Sequence, residues 1–357
     1  MTSPLIINLA FLPVKPTGLA TYAINLLPDL KRLDPTLLVA QPQAGFTCQP
    51  APPGLTHEQG RKGHFSRLQW TQWQIPKLYR QLQAALLFSP IPEAPLLAGC
   101  RFVVTVHDLI PLRFFRPFTP LWLYQKYYLP LVLQQAAHII TNSQSTAQDV
   151  IDFFQIPAQK ITPILLAHDA ANFRCLDVPT RNYFLYLGRN DPYKNLHRLV
   201  AAFAQLPDRA AYELWLAGPA DERYSPALNT HIAELGLTQQ VKFLNYVPYA
   251  ELPVIINQAI ALVLPSLWEG FGLPVLEAMA CGTPVITSQL SSLPEVTGEA
   301  ALLVDPLDVG AIAEAMHQIA IDPTLRQTLR TASLQRASQF SWAKTGAATT
   351  EVLQKFL

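Results

Sequence analysis

Short apolar runs alternate with helix-period segments along nearly the whole chain, and few folds accommodate that alternation. In the first half the runs Leu5–Leu9, Leu37–Ala40, Ala85–Phe88, Phe102–Val106, Ile139–Thr141 and Ile161–Leu165 have the length of fully buried strands. Between them, Leu19–Lys31, Pro120–Gln135 and Ser143–Phe154 read as helices. Strands buried on both faces and joined by helices form parallel sheets covered on both sides. A polar, turn-rich stretch from about Ala167 to Asn182 follows, and then the pattern restarts. The second series is Tyr183–Leu187, Tyr212–Leu216, Val241–Leu244, Ala259–Leu264 and Val285–Thr287. Its clearest helix is Leu196–Leu206, where Leu196, Leu199, Val200 and Phe203 line one face. A chain of 357 residues is too long for one ordinary core, so two α/β units joined by a linker are expected.

Composition narrows the class further. Half of the residues are hydrophobic and 14% are charged, which suits a large buried core. No apolar run reaches the roughly 18 residues of a membrane span. Met1-Thr2-Ser3-Pro4 leads straight into the first apolar run without a basic leader, so a soluble protein beginning with its first strand is expected. Cys48, Cys100, Cys175 and Cys281 are scattered, which suits a reducing cytoplasm better than a zinc site or a disulfide framework. Prolines are numerous but dispersed, a sign of stiffened loops. Residues 1–170 hold 13 Lys and Arg against 8 Asp and Glu, and the remainder leans acidic. No basic run or stripe points to nucleic acid.

The segment from Ser266 to Pro284 carries the most chemistry. The strand Ala259–Leu264 ends at Pro265, a loop with Gly270 and Gly272 follows, and Pro274 is placed to open a helix. Ligands of doubly wound sheets bind beyond the carboxyl ends of strands, where glycines admit close approach and helix N–H groups attract phosphate. Glu277 is expected in the first helical turn, facing the same crevice. In isolation, Glu269 would read as a solvated loop acid and Glu277 as a complement to the helix dipole. The strand, the glycines and the helix start around them favour a ligand site.

Here the sequence resembles a known family. Glu269-x7-Glu277, within E-G-F-G-L-P-V-L-E-A-M-A-C-G-T-P-V, is similar to the signature of retaining glycosyltransferase family four, which has the GT-B fold. The resemblance extends over nearly the whole chain. It implies that Glu269 contacts hydroxyls of the transferred sugar together with the backbone of Gly270, Phe271, Gly272 and Leu273. It implies likewise that Glu277 accepts hydrogen bonds from the nucleotide ribose.

A second strand end, Leu187-Gly188-Arg189-x4-Lys194-Asn195, carries two cations on one loop, as a diphosphate requires. Alone they would be solvated bases; the family's G-R-x4-K-N element implies that Arg189 and Lys194 hold the donor pyrophosphate. Phe243-Leu-Asn245-Tyr246-Val247 resembles a loop that packs on the nucleotide base, with Asn245 in place of the usual Gly, which marks Tyr246 and Val247 as donor-binding. Ser292-Leu-Pro-Glu295 reads as a capping box, which makes Glu295 structural. A lone His such as His107 is more often structural, but the family places the matching His beside the donor sugar, with Asp108 next to it. Gly18, in Pro16-Thr-Gly18-Leu-Ala20-Thr21, resembles part of an acceptor-side loop in which Ala20 and Thr21 replace the common Gly and Arg. Phe340-Ser341-Trp342 and the helix after it resemble the segment that crosses back to the first domain.

Together these features predict an α/β protein of the GT-B class, two facing Rossmann-like domains with a C-terminal helix crossing back to the first. Residues 1–168 form the acceptor side, 169–182 a linker, 183–338 the nucleotide-sugar donor domain and 339–357 the crossing helix. The expected activity is retaining transfer of a sugar, mannose from GDP-mannose as the first choice, to a glycan or lipid-linked glycan in polysaccharide biosynthesis. No cofactor and no metal are expected, since no Asp-x-Asp triplet occurs. An epimerase or hydrolase on the same fold, or a catalytically silent glycan-binding protein, are the competing readings. The expected location is cytoplasmic. Arg113, Arg116 and Lys126 are interleaved with aromatics up to Tyr128, which suits either a helix packed on its sheet or a peripheral contact with the inner face of a membrane.

Overall fold

The computed structural model describes residues 5–13, 18–114 and 119–357. It divides into two compact units, Met1–Leu166 with Trp342–Leu357, and Ala167–Ser341.

In the first unit seven strands are β1 (Leu5–Asn8), β2 (Thr36–Val39), β3 (Thr47–Pro50), β4 (Leu86–Ser89), β5 (Phe102–Val106), β6 (His138–Thr141) and β7 (Ile161–Pro163). They pair in parallel in the order β3-β2-β1-β4-β5-β6-β7. The centre is β1 and β4, and every residue of both strands is buried. Chain order reverses between these two strands, and such a switch opens a crevice at the carboxyl edge of a sheet. The last helix, Trp342–Gln354, belongs to this unit and packs on the helix Gly18–Leu30. Gly346 makes the approach possible, because Asp29 occupies the place of a Cβ. Thr345 Oγ1 anchors the helix on the Leu165 carbonyl at 2.7 Å.

The second unit has β8 (Tyr183–Leu187), β9 (Glu213–Ala217), β10 (Val241–Asn245), β11 (Ala261–Leu264), β12 (Val285–Ser288) and β13 (Leu302–Val304). All its strand pairs are parallel, in the order β10-β9-β8-β11-β12-β13. The helix Leu196–Ala204 buries the expected stripe of Leu196, Leu199, Val200 and Phe203 against this sheet's core. Here the switch point falls between β8 and β11.

Three local expectations need correction. Pro120–Gln135 is not one regular helix: Tyr124–Tyr128 forms a π-helical turn between Pro120–Leu123 and Leu129–Gln135. Pro130 enters the last of these pieces, where its missing N–H lets the hydrogen-bond register shift. Ser292 does not cap the helix Leu293–Thr297, because its backbone is already helical and its hydroxyl is used elsewhere. Glu277 is the fifth residue of the helix Leu273–Ala280, one turn deeper than expected.

Candidate functional site

The loops that follow β8 and β11 are neighbours because those strands are neighbours, and they carry most of the residues singled out in the sequence. After β8, Gly188 and Arg189 lead into a tight turn, Pro192–Lys194. Asn195 then takes a left-handed conformation (φ 64°), which short polar side chains tolerate, and starts the helix Leu196–Ala204. Its buried amide donates to the Pro265 carbonyl at 3.0 Å and the Pro306 carbonyl at 2.6 Å. The Leu267 N–H donates to the Tyr193 carbonyl at 2.7 Å. The two loops are therefore bolted together through one backbone bond and the Asn195 side-chain amide.

Across that junction Lys194 Nζ donates to both Glu269 carboxylate oxygens, at 2.6 and 2.9 Å. Ser266 Oγ adds a third hydrogen bond at 2.7 Å. The backbone of the loop is held from the other side. The Glu269 N–H donates to Ser291 Oγ at 3.0 Å, and Ser292 Oγ lies 3.0 Å from the Glu269 carbonyl and 2.9 Å from the Phe271 carbonyl. Ser292 thus shapes the loop instead of capping its own helix. Phe271 is buried edge-on to Phe340 at 6.2 Å, and Gly270 is buried beside it. Gly272 has φ 99°, and a Cβ there would come within 2.6 Å of Leu293 Cδ2. The helix beginning at Leu273 has no side-chain cap, but Pro274 carries no N–H and the Val275 N–H donates to the Gly272 carbonyl at 3.0 Å, which leaves the Leu273 N–H of this first turn for an anion.

Arg189 is more exposed. Its Nε lies 3.2 Å from Asp191, which also has Arg223 at 3.9 Å. Arg223 in turn pairs with Asp221 at 2.5 Å. Gly218, at the end of β9, has no space for a side chain because its Cβ position falls on the Gly188 carbonyl. That close approach brings the Arg223 loop beside the Arg189 loop. The second arginine was not legible in the sequence, where it sits in an ordinary polar loop.

Glu277 and Asp169 form an acidic pair in the same unit. Burial first, and then the Asp169 charge, push the Glu277 carboxyl up to about 8. Asp169 accepts from the Ala171 N–H at 3.0 Å and from the Tyr249 hydroxyl at 3.3 Å. Tyr249 follows the β10 loop, where Tyr246 is exposed and Val247 partly so. Asn245 holds φ 51°, a conformation that glycine supplies most easily and asparagine next. The departure from Gly therefore keeps the left-handed turn.

His107, Asp108 and Gly18 lie in the first unit. His107 follows β5, and its Nε2 is 2.9 Å from the Pro90 carbonyl just beyond β4. A carbonyl only accepts, so Nε2 carries the proton. Tyr22 meets the ring edge-on at 4.8 Å and bonds Thr105 at 3.1 Å. Burial, partly offset by the Pro90 contact, lowers the His107 pKa to about 4. The Asp108 carboxylate accepts from the Ile110 N–H at 3.1 Å. Gly18 begins the helix Gly18–Leu30. Pro16 and Thr17 of the same loop, and Arg116, fall outside the described residues.

The remaining expected bases are engaged. Arg113 donates to the buried Asp149 at 3.1 and 3.2 Å, and Lys126 lies over the Trp122 ring at 4.5 Å. Among the described residues no helix is long and apolar enough to cross a membrane.

Residues 16–171 match the model of Glycosyltransferase Family 4, and residues 171–336 match that of Glycosyl transferases group 1. The chain is 27% identical over 331 residues to an O-antigen chain mannosyltransferase of Salmonella typhimurium, covering 88% of this chain and 90% of that one. It is 36% identical over 224 residues to O-antigen chain mannosyltransferase B of Escherichia coli, a match that spans 59% of this chain and 58% of the relative. Among solved structures, a sucrose-phosphate synthase from Thermosynechococcus elongatus superposes with a TM-score of 0.78 at 22% identity, over 99% of this chain and 98% of that one. Anabaena HepE, solved with UDP and glucose, superposes with a TM-score of 0.77 at 19% identity, over 99% of this chain and all of the other.

Proposed function

Because the chain belongs to the glycosyltransferases that join a Family 4 domain to a group 1 domain and have the GT-B fold, we propose that it moves mannose from GDP-mannose to a growing or lipid-linked surface glycan. The relatives named as O-antigen mannosyltransferases support the sugar and the acceptor class. The observation that carries the reading is the Lys194–Glu269 pair at the switch point of the second sheet, with Arg189 and an uncapped helix start on neighbouring loops.

In this reading the donor diphosphate takes Lys194, with Arg189 and the start of the helix Leu273–Ala280 beside it. Glu269, released from Lys194, accepts hydrogen bonds from the sugar hydroxyls. Glu277 accepts from the ribose, and Tyr246 and Val247 border the base. His107 lies beside the transferred sugar, and Gly18 and Asp108 serve the acceptor side. Transfer retains the anomeric configuration: the acceptor hydroxyl attacks the anomeric carbon from the face that the diphosphate leaves, and its proton passes to a diphosphate oxygen. Cations built into the protein stabilise the negative charge on the leaving group, so no metal is required. A lipid-linked acceptor places the enzyme peripherally on the inner face of a membrane.

The test is transfer of labelled mannose from GDP-mannose to a mannose-containing oligosaccharide, with and without EDTA, and with the product anomer read by NMR. An α-linked product formed in EDTA is expected. An inverted linkage, complete dependence on added metal, or epimerised donor without transfer would overturn the corresponding part of the reading.

A further inference from the structure

We infer that one side of the first unit, built from the helix Gly60–Gln81, the loop Glu93–Arg101 and the segment Thr119–Gln135, is a docking surface for an anionic lipid bilayer. The inference deepens the lipid-linked acceptor reading above and rests on it for its purpose, although the surface itself is argued from packing and charge.

The three segments are sewn together by one seam of hydrogen bonds. Gln72 donates to the Ala94 carbonyl at 2.9 Å and to the Tyr128 hydroxyl at 3.1 Å, and it accepts from the Leu96 N–H at 2.9 Å. His64 meets Tyr124 ring to ring at 5.3 Å. Arg67 binds Glu93 through two bonds of 2.8 Å. Five members of the seam, His64, Gln72, Leu96, Tyr124 and Tyr128, each have an exposed apolar neighbour along the chain. Phe65 follows His64, Trp73 follows Gln72, Leu97 follows Leu96, Leu123 precedes Tyr124 and Tyr127 precedes Tyr128. Leu97 is 97% exposed, Trp73 69%, Phe65 62% and Tyr127 58%. Apolar residues gathered in this way at one surface mark an interaction site, whereas single exposed ones need no explanation.

Charge decides the occupant. Arg61, Lys62, Lys77, Arg80, Arg101 and Lys126 are exposed on these segments. Their one acid, Glu93, is buried against Arg67. Large rings with a polar edge, set among bases that outnumber the acids, suit the headgroup boundary of an anionic membrane. A protein partner would have to be acidic and apolar at once, whereas an anionic bilayer supplies both properties in one surface. Arg113, which the sequence suggested for such a face, is instead held by Asp149 and takes no part.

The test is co-sedimentation of the full chain with phosphatidylglycerol–phosphatidylcholine vesicles and with pure phosphatidylcholine vesicles, at low and high salt. The wild type should bind the anionic vesicles and lose binding as salt rises. Phe65→Ser/Trp73→Ser/Tyr127→Ser and Lys62→Gln/Lys77→Gln/Arg80→Gln should each lower the partition coefficient by about tenfold or more. Both triple variants should keep the wild-type melting temperature and the wild-type rate on a soluble oligosaccharide. No binding by the wild type, or unchanged binding by correctly folded variants, would overturn the inference. So would a dimer that the aromatic variant dissolves, which would assign this face to a second copy of the chain. Salt-sensitive binding lost in the variants, with no transfer to any acceptor, would uphold the surface and count against the transferase reading.

Discussion

Lys194 Nζ sits 2.6 and 2.9 Å from the two carboxylate oxygens of Glu269, a residue 75 positions further along the chain. Both side chains are largely buried, so neither charge has water as a substitute partner. Breaking a buried pair from one side strands the other charge, at about 3–5 kcal/mol, while removing both costs far less. Glu269→Gln and Lys194→Met should each lower the denaturation midpoint, and the double variant should recover part of the loss. Additive losses in urea titrations would mean that the two residues are not coupled. In turnover, Lys194→Ala should lose about 100-fold or more in kcat, the size expected when one preorganised donor to a developing anion is removed. Wild-type turnover by that variant would remove Lys194 from the chemistry.

Glu277 is expected to bind the ribose as a carboxylate, yet burial and the Asp169 charge raise its pKa to about 8. Nucleotide binding near pH 7 should therefore release a proton. Calorimetry in buffers of different ionisation enthalpy reads this directly, and a buffer-independent heat would contradict it. Glu277→Ala should weaken GDP binding about 10- to 150-fold, the equivalent of ~1.5–3 kcal/mol of charge-assisted hydrogen bonding.

The same raised pKa has a stability consequence. Between the ordinary carboxyl value of 4.5 and about 8, the folded state holds the proton that the unfolded state has released. Stability from this group is complete below 4.5 and is lost as pH rises through 8. Glu277→Gln should melt above the wild type at pH 8–9, and the difference should vanish near pH 4.5. A constant offset at every pH would assign the effect to packing.

His107 works in the opposite direction. Its folded value of about 4 lies below the ordinary 6.5, so in that window the unfolded state binds the extra proton. The stability of the buried neutral ring is complete above 6.5 and is lost as pH falls through 4. His107→Gln should flatten the melting profile on the acid side of 6.5. An unchanged acid limb would show that another group governs it.

Gly272 combines φ 99° with a Cβ position 2.6 Å from Leu293. Gly272→Ala should destabilise by about 1–3 kcal/mol, and Leu293→Ala should relieve only the steric part, because the backbone strain stays. Full rescue in the double variant would show that the backbone conformation itself costs nothing.

The chain's own pattern determined the central strands, since residues buried on both faces of a sheet must be apolar in unbroken runs. Phe102–Val106 and Tyr183–Leu187 end where the apolar runs end. The loops that leave strand ends with glycine, proline and charge were legible for the same reason, and they named Lys194, Glu269 and Glu277. Two of the four edge strands escaped: Thr47–Pro50 and Leu302–Val304 are half exposed, so their composition resembles that of a loop. The helix Gly60–Gln81 escaped as well, because its polar face and Pro76 hide the period of its buried one. Only the tertiary structure decided which loops meet. Lys194 reaches Glu269 because β8 lies beside β11, a strand order that long-range packing sets and that no local window of residues contains. The same order gave Ser292 to the Glu269 loop, where its hydroxyl meets the Glu269 and Phe271 carbonyls in place of the cap that its sequence context suggested.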